Sequence, residues 1–454
     1  MIIKPRLAAA HSLEKILVKK QFSNVVTAEW LKKTDWSSED QGLFLRLVYG
    51  TLEQIMLIDS VLQKHAARPI TGIDSSVRGI LRISAYQILF ADRIPAYAVI
   101  NEAVGLIKIE TPKAAGFVNA VLRSIVREIA KATDREVFLQ QIFQQQPSLR
   151  YSHPEWLIKR LRQDYSQENV IKILESHQKP PVLTIRLNLL KGSTEILSQK
   201  IGQDGFEIKE TGWLPEAYQV TRSSGLITRA ASYYNGLFQI QSIVSMLAVH
   251  WLDPQPGEKI IDVAAAPGGK TTFIAQRMKN HGVILARDLS EKRIRQVDMH
   301  ARRLGCQIIR TVVKDGRTPD HQWEGYADRV LLDAPCSSMG MIRKKPELKL
   351  HKTETEVLQF PDLQQQLLAN AAEMVKPGGF LLYATCTYFH MENRNIIETF
   401  LDKQPEFSLQ PLEPLHESMH ISSAITDEGM IQMGPHLHEH LDGFFVAKLR
   451  RRHN

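Results

Sequence analysis

Residues 259–271 read KIIDVAAAPGGKT, a short apolar run followed by a turn of small residues and two glycines. Farther along the chain, VLLDAPCSS (330–338) and FLLYATCTY (380–388) each place a cysteine directly after a similar apolar run. Parallel strands end at the same edge of a sheet, and open α/β sheets bind their ligands at that edge. The three stretches therefore predict a parallel sheet that carries a ligand-binding turn and two thiols, Cys336 and Cys386, at one edge.

The chain around these stretches alternates between strand and helix patterns from Pro254 onward. Apolar strand patterns at GVILARD, QIIRTVV and GFFVAKL are separated by helix patterns such as SEKRIRQVDMHARRLG and PDLQQQLLANAAEMV. Repeated βα units with continuous apolar strands are typical of a parallel sheet that is covered by helices on both faces. We expect an α/β domain over residues 236–454.

The chain before this domain has a different character. Apolar residues recur at helical spacing up to about residue 140, which predicts an all-helical domain over 1–140. Residues 141–235 read as a helical linker followed by a small βαβ unit at about 182–232. The uncharged stretch 230–252 is long enough to span a bilayer, but its amides and hydroxyls favour a buried or cleft-lining helix.

Composition limits the classes of function. A length of 454 residues predicts two or three domains, and three widely spaced cysteines fit a reducing, cytoplasmic setting. A net charge of +8 is compatible with a nucleic-acid partner, although charge alone is weak evidence. Residues 1–15 lack the apolar core of a signal peptide. No sequence feature predicts an oligomer, so we expect a monomer. We also expect no membrane partner.

The glycine turn and the acidic residues after the next strands suggest a nucleotide-type pocket. GGKT resembles part of a phosphate-binding loop, but Ala264 stands where that loop needs a glycine. Asp288 ends the next strand and is suited to accept ribose hydroxyls, or it simply caps a helix. Asp315, in VVKDGR, is suited to contact an adenine amino group, although on the motif alone turn formation is the stronger explanation of an Asp-Gly pair.

The two strand-end cysteines allow three interpretations. A buried cysteine often serves only as a small apolar residue. A redox pair more often takes the form Cys-x-x-Cys on a turn. A nucleophilic role fits two thiols at neighbouring strand ends beside a ligand pocket. Three alternating histidines, His436, His438 and His440, favour an exposed loop, and we predict no metal site.

These motifs together are recognisable. AAAPGGKT, DAPCSS and ATCTY resemble the motifs of the RNA 5-methylcytosine methyltransferase superfamily. YSHPEWL (151–157), RLNLLK (186–191), GLFQIQS (236–242) and DGFFVAKL (442–449) narrow the resemblance to the bacterial RsmB family, also called Sun or Fmu. The helical segment, with RISAYQILF, INEAV and GFVNAVL, is similar to the NusB RNA-binding fold.

The resemblance implies a NusB-like RNA-binding domain, a small RNA-binding subdomain and a Rossmann-like domain that uses S-adenosylmethionine. It implies that Cys386 is the nucleophile, that Cys336 helps to release the product, and that Asp333 faces the cytosine. The residues that it implies for cofactor binding are Ala264, Ala265, Ala266, Pro267, Gly268, Gly269, Lys270, Asp288, Asp315 and Asp333. Two positions depart from the family pattern: Ala264 replaces a cysteine, and Ser242 replaces an acid.

The implied reaction is methylation of carbon-5 of a cytosine in 16S ribosomal RNA, at cytosine 967 in most of the family. Carbon-5 becomes nucleophilic only after a thiolate adds to carbon-6, which explains the need for a cysteine. The target base must lie in a loop or be flipped out of its stack. The alternatives are the same reaction on transfer RNA, or a non-catalytic RNA-binding or antitermination factor of the NusB type.

Overall fold

The computed structural model describes residues 3–223, 225–414, 424–438 and 441–453, without the side chain of Pro147. The chain forms two compact units. Of the described residues, those within 1–163, 174–179 and 342–353 form the first unit, and those within 164–173, 180–341 and 354–454 form the second. No helix among the described residues is long and apolar enough to cross a membrane.

The helices of the described residues, in chain order, are α1 (Pro5–Leu17), α2 (Ser23–Lys33), α3 (Ser38–Glu53), α4 (Ile55–His65), α5 (Ser75–Phe90), α6 (Ala96–Glu110), α7 (Ala115–Lys131), α8 (Arg135–Gln145), α9 (Glu155–Asp164), α10 (Gln167–Ser176), α11 (Thr194–Gln203), α12 (Ala231–Tyr234), α13 (Ile243–Leu252), α14 (Gly269–Arg277), α15 (Glu291–Leu304), α16 (Leu348–His351), α17 (Glu354–Val357), α18 (Phe360–Glu373) and α19 (Arg394–Lys403).

The strands of the described residues are β1 (Thr184–Leu187), β2 (Phe206–Glu210), β3 (Ala217–Ser223), β4 (Phe238–Ile240), β5 (Lys259–Asp262), β6 (Val283–Asp288), β7 (Ile309–Val313), β8 (Ala327–Asp333), β9 (Val375–Thr385), β10 (Phe407–Gln410), β11 (Ile431–Met433) and β12 (Phe444–Arg451).

The helical unit begins with α1–α8, as the apolar spacing of this region predicts. Polar caps fix several helix starts: Asp74 Oδ1 accepts the Ser76 and Val77 N–H groups before α5, and Asp134 Oδ1 accepts the Val137 N–H group before α8. Such caps satisfy amides that the first turn of a helix leaves without partners. The buried face of α5, which includes Ile80, contributes to the core of this unit.

The segment 342–353, between α15 and α18 in the sequence, belongs to the helical unit. Two of its charged side chains bind the ends of helices in that unit. Glu347 Oε1 accepts the N–H (2.8 Å) and the hydroxyl (3.0 Å) of Ser23, the first residue of α2. Lys349 Nζ donates to the carbonyl of Glu53, the last residue of α3 (2.6 Å). An acid at a helix start and a cation at a helix end are both favoured by the helix dipole.

The small sheet of the second unit has the order β2-β3-β1-β4, and its neighbouring strands are antiparallel. The predicted βαβ unit has one strand after its helix, whereas the structure has two, β2 and β3, which form a hairpin. β4 pairs with β1, with Ile240 opposite Ile185. The prediction of a single helix over 230–252 is therefore wrong, because this stretch holds α12, β4 and α13 in turn.

The large sheet has the order β10-β12-β9-β8-β5-β6-β7, with β11 paired to β12. β5 to β9 run parallel, as predicted, whereas β12 runs antiparallel to β9. This mixed edge was not predicted, because an apolar strand pattern such as that of β12 does not encode direction. The predicted fold class, a helical NusB-like domain, a small α+β subdomain and a Rossmann-like domain, is confirmed.

Alternate residues of each central strand face opposite cores. Ile260 lies in a cluster with Leu247 of α13 and Phe273 of α14, whereas Ile261 lies in a cluster with Leu368 of α18 and Ile397 of α19. Helices therefore cover both faces of the sheet, which leaves the carboxyl edge of the parallel strands as the place for a site.

Candidate active site

Four neighbouring parallel strands end in polar residues at the same edge of the large sheet. β5 ends at Asp262, β6 at Asp288, β8 at Asp333 and β9 at Thr385. The loops that follow β5, β8 and β9 carry the glycine turn, Cys336 and Cys386. These three motifs lie up to about 120 residues apart in the sequence. They meet at one edge because β5, β8 and β9 are neighbouring parallel strands.

The turn after β5 packs against Asp288, the acid that ends β6. Asp288 is buried, and its carboxylate accepts the Ala266 N–H (3.3 Å) and the Ser290 N–H (3.0 Å). Gly268 has a φ of 102°, and an added Cβ would lie 3.0 Å from the Val297 Cα. Only glycine suits this combination of backbone conformation and close packing. The start of α14 follows directly and has no side-chain cap.

Lys270 joins the turn to the DAPC loop. Its Nζ donates to Asp333 Oδ2 at 2.6 Å. Burial lowers the pKa of Lys270, but the charge and hydrogen bond of Asp333 outweigh burial, so the pKa is raised and the ammonium form persists. Asp262, the last residue of β5, accepts a hydrogen bond from Thr271 Oγ1 (2.7 Å). Burial raises the pKa of Asp262 to about 7.

The sulfur atoms of the two strand-end cysteines lie 3.4 Å apart. The side-chain hydrogen bond with Cys336 is the main cause that lowers the pKa of Cys386, and Ser338 and Lys270 contribute in the same direction against burial and Asp333. The same hydrogen bond, together with burial, raises the pKa of Cys336. The pair therefore favours a thiolate on Cys386 and a thiol on Cys336.

Ser338 is a member of this site that was not predicted from the sequence. Its Oγ lies 3.4 Å from Cys386 Sγ, and its φ of 60° is unusual for a residue other than glycine. The hydroxyl is placed to donate to a thiolate on Cys386. The signal was its position two residues after Cys336, within the DAPCSS motif.

The remaining candidate residues occupy less central positions. Asp315 follows β7, and its carboxylate pairs with Arg317 in its own turn (2.7 Å). Ser242 lies at the start of α13, where its hydroxyl donates to Ser245 Oγ (2.9 Å). Cys306 lies apart from the cysteine pair in the core beside Thr272, and burial raises the pKa of its thiol to about 11.

His436 and His438 are half-buried, so the predicted exposed loop is wrong for these two residues. His436 packs edge-on against Tyr165, and His438 packs edge-on against Trp213. His440 lies outside the described residues. Within the described parts of the chain, no group of three His, Cys, Asp or Glu side chains is arranged to hold a metal ion.

The arrangement fits S-adenosylmethionine. An uncapped helix start offers N–H groups to a carboxylate, and a buried acid after the second strand is suited to ribose hydroxyls. A close-packed Gly268 lets the cofactor approach the backbone. The fold and this edge define a Rossmann-like, S-adenosylmethionine-dependent methyltransferase.

Comparison with known families gives a more specific result. Residues 249–450 match the model described as 16S rRNA methyltransferase RsmB/F, residues 3–127 match the NusB family, and residues 153–225 match the ferredoxin-like domain of RsmF/B-like methyltransferases. The chain belongs to the RsmB/F family of 16S rRNA methyltransferases, which confirms the resemblance seen in the sequence.

Individual relatives extend over the whole chain. "Probable ribosomal RNA small subunit methyltransferase B" of Bacillus subtilis (strain 168) is 34% identical, with 98% of each chain covered. "Ribosomal RNA small subunit methyltransferase B" of Klebsiella pneumoniae (strain 342) is 32% identical over 100% of this chain and 99% of the relative. The crystal structure of PH0851 superposes with a TM-score of 0.84 at 30% identity, covering 99% of this chain and 100% of the other.

Proposed function

We propose that this enzyme methylates carbon-5 of a cytosine in 16S rRNA through a covalent bond between Cys386 and the base. The observation that carries this proposal is the 3.4 Å separation of the Cys336 and Cys386 sulfur atoms beside the Lys270–Asp333 pair. A carbon nucleophile must be generated within an aromatic ring, and a thiolate with a second thiol at hand supplies the required chemistry.

Cys386 begins the reaction by adding its thiolate to carbon-6 of the cytosine. The lowered pKa of Cys386 raises the fraction of reactive thiolate near neutral pH. Addition breaks the conjugation of the ring and makes carbon-5 behave as an enamine carbon. The bound cofactor supplies an electrophilic methyl group to that carbon.

Asp333 is our candidate for holding the altered ring. Its carboxylate can accept a hydrogen bond from the amino group, and from nitrogen-3 once solvent has protonated that atom after thiolate addition. Its Oδ2 is occupied by Lys270, which fixes the direction of the carboxylate, and its side chain is one-third exposed. A carboxylate held by an ammonium group is a preorganised acceptor for N–H groups, because it needs no reorientation when the base arrives.

Cys336 is our candidate for the release step, which removes the carbon-5 proton and lets Cys386 depart. While Cys386 is free, its hydrogen bond and charge help to raise the pKa of Cys336. Once Cys386 is bonded to carbon-6, this cause is removed. The pKa of Cys336 then falls, so its thiol loses a proton to solvent more readily. The resulting thiolate can accept the carbon-5 proton, and the electron pair of that C–H bond expels Cys386.

We propose that the cofactor is held by the turn Ala264–Lys270, with Ala264, Ala265, Ala266, Pro267, Gly268 and Gly269 as its backbone. Asp288 would accept the ribose hydroxyls, and Asp315 would lie near the adenine. The side chain of Asp333 would border the methyl group. The absence of a cysteine at position 264 costs little in this scheme, because the backbone makes the contacts.

The substrate RNA is proposed to be small-subunit rRNA before or during subunit assembly, when the target base is accessible, with the protein acting as a monomer in the cytoplasm. The family's usual site, cytosine 967, is the proposed nucleotide. The positive net charge of +8 supports phosphate contacts around the flipped base.

Bisulfite sequencing of total RNA, from cells with and without this protein, tests the proposal. We expect one 16S rRNA cytosine to resist conversion only when the protein is present. Protection of a transfer RNA cytosine instead would redirect the substrate assignment. Identical conversion patterns in both strains would refute the carbon-5 activity.

A further inference from the structure

We propose that Glu392 is a positioning residue that holds the two cysteine loops at their working separation. The inference rests on the proposed function, but the geometry behind it is independent of the RNA. Glu392 ends a short turn, His390–Glu392, six residues after Cys386, and it is fully buried. It lies in neither cysteine motif and was not predicted from the sequence as a site residue.

The carboxylate of Glu392 connects residues from both loops. Its Oε2 accepts the backbone N–H of Ser337 (2.8 Å) and the side-chain amide of Gln364 (3.1 Å). Its Oε1 accepts the hydroxyl of Thr387 (3.2 Å). Ser337 follows Cys336 directly, and Thr387 follows Cys386 directly.

Ser337 and Thr387 also contact each other. Their hydroxyl oxygens lie 2.8 Å apart, and both side chains are fully buried. The three residues therefore form a closed triangle of hydrogen bonds: Glu392 to Ser337, Ser337 to Thr387, and Thr387 to Glu392. The two residues that this triangle fixes are the immediate neighbours of the two sulfur atoms.

The sheet alone does not set the separation of the sulfur atoms. Pairing between β8 and β9 ends at Asp333 and Ala384, before either cysteine. Beyond that point the backbones are joined by the hydrogen bonds from Ala334 N to Ala384 O (2.8 Å) and from Gly340 N to Cys386 O (3.0 Å). Glu392 supplies a side-chain link in the interval between them, where Cys336 lies.

Burying a carboxyl group in a protein core costs free energy, because the group loses its hydration. The donors to Glu392 are an amide N–H, a side-chain amide and a hydroxyl, all neutral, and burial raises the pKa of the carboxyl group. An apolar side chain would fill the space at lower cost but could not accept three hydrogen bonds. The need for those acceptors at this place explains the acid.

Two substitutions separate positioning from simple packing. In Glu392→Gln, the amide oxygen can accept from Ser337 and Gln364, and the amide nitrogen can donate to Thr387, whose hydroxyl then donates to Ser337. In Glu392→Leu, the volume is similar, but the Ser337 N–H and the Gln364 amide lose their buried acceptor. Glu398→Leu, on the exposed face of α19, is the matched surface control.

The first measurement uses the full-length protein, S-adenosylmethionine and transcribed 16S rRNA. We expect Glu392→Leu to lower kcat about 100-fold, as an ångström-scale misplacement of reacting groups does. The KM for rRNA and the Kd for S-adenosylmethionine should stay within about threefold of wild type, and Glu392→Gln should recover most of kcat. A wild-type kcat in Glu392→Leu, or equal losses in both variants, would overturn the proposal.

The second measurement needs no RNA, so it distinguishes failure of this inference from failure of the proposed methylation. Alkylation of Cys386 by iodoacetamide is followed by mass spectrometry across pH. Loss of the Cys336 contact should move the midpoint for Cys386 to higher pH in Glu392→Leu but not in Glu392→Gln or Glu398→Leu. An unchanged midpoint in Glu392→Leu rejects the positioning role even if the wild type proves inactive on 16S rRNA.

Thr387→Val keeps the test decisive if Glu392→Leu does not fold. This substitution removes one corner of the triangle and conserves volume. It should lower kcat about tenfold and shift the Cys386 midpoint in the same direction, with cofactor affinity preserved. Wild-type values for both quantities in Thr387→Val would count against the inference.

Discussion

Cys336 and Cys386 contact each other twice, through their sulfur atoms at 3.4 Å and through the Cys386 backbone N–H, which points to the Cys336 sulfur at 3.4 Å. The second contact is directional. It offers a hydrogen-bond donor to Cys336 and thereby fixes Cys336 relative to the backbone of its partner. This contact lowers the pKa of Cys336, but the side-chain hydrogen bond with Cys386 and burial raise it by more. The two thiols are therefore chemically unequal, with the thiolate favoured on Cys386.

Cys386→Ala should abolish methyl transfer and leave S-adenosylmethionine binding intact. The substitution removes the nucleophile, whereas the turn at Ala264–Lys270 and Asp288 lie on other strands. We expect a loss of at least about 1,000-fold in kcat, the scale seen when a covalent nucleophile is removed. Isothermal calorimetry measures the retained cofactor affinity, and full methyl transfer in this variant would reject Cys386 as the nucleophile.

Cys336→Ala should slow release of the product and let a covalent protein–RNA adduct accumulate. The nucleophile is still present, but the group that we assign to proton removal is gone. A denaturing gel with labelled 16S rRNA should show a slowly migrating band that is absent from Cys336→Ala/Cys386→Ala. A single variant that turns over normally without any such band would contradict the release role.

The sequence was sufficient to predict the parallel part of the sheet and the meeting of the cysteine motifs. Both predictions rest on local patterns, an apolar run followed by small or reactive residues, and on the rule that parallel strands share a carboxyl edge. The antiparallel addition of β12 was not predictable in this way, because strand direction depends on how distant segments connect.

Other features could not be predicted from the sequence because they depend on tertiary contacts. Glu392 lies in a turn whose sequence, HME, carries no motif, and its importance appears only when Ser337 and Thr387 surround it. The capping of α2 and α3 by the segment 342–353 joins residues more than 290 positions apart. Local periodicity contains no information about such pairs.

Lys270→Met should shift the acid limb of the pH–rate profile to higher pH. Lys270 is among the groups that lower the pKa of Cys386, and Asp333, which opposes it, would lose its counter-ion. Both changes disfavour the thiolate, so more alkaline conditions are needed to form it. We expect a shift of about one pH unit, in line with the loss of one nearby charge.

The pH dependence of single-turnover methyl transfer measures this shift. Lys292→Met, which removes an exposed lysine on α15, is the matched control and should retain the wild-type profile. An acid limb that does not move in Lys270→Met would show that the ammonium group does not act on the thiolate.

Lys349 makes the stability of the helical unit depend on pH. Its side chain is 2% exposed, and burial lowers the pKa of the ammonium group to about 7 despite the opposing charge of Glu53. Burial in turn raises the pKa of Glu53 to about 7. The neighbouring His153 and His177 have lowered pKa values, also caused by burial, and stay neutral above pH 7.

The sign of the effect follows from proton binding. Between about pH 7 and the ordinary lysine value of about 10.4, the unfolded chain binds the proton at Lys349 and the folded chain does not, so stability rises with pH across this window. Glu53 acts in the opposite sense below pH 7. Because its folded pKa is raised, its contribution is present below the unfolded value and is lost as pH rises through about 7.

Lys349→Met should therefore remove the rise in stability between pH 7 and pH 9 that we expect for the wild-type helical unit, a change of about 2 kcal/mol. Hydrogen exchange of α1–α3, corrected for the intrinsic effect of pH, measures it. Lys345→Met, on the same segment, removes a cation that stacks on Phe22 and should preserve the rise. Lys349 is the buried lysine of this segment that bonds to the end of α3. If stability still rises with pH in Lys349→Met as it does in the wild type, the ammonium group of Lys349 is not the titrating species.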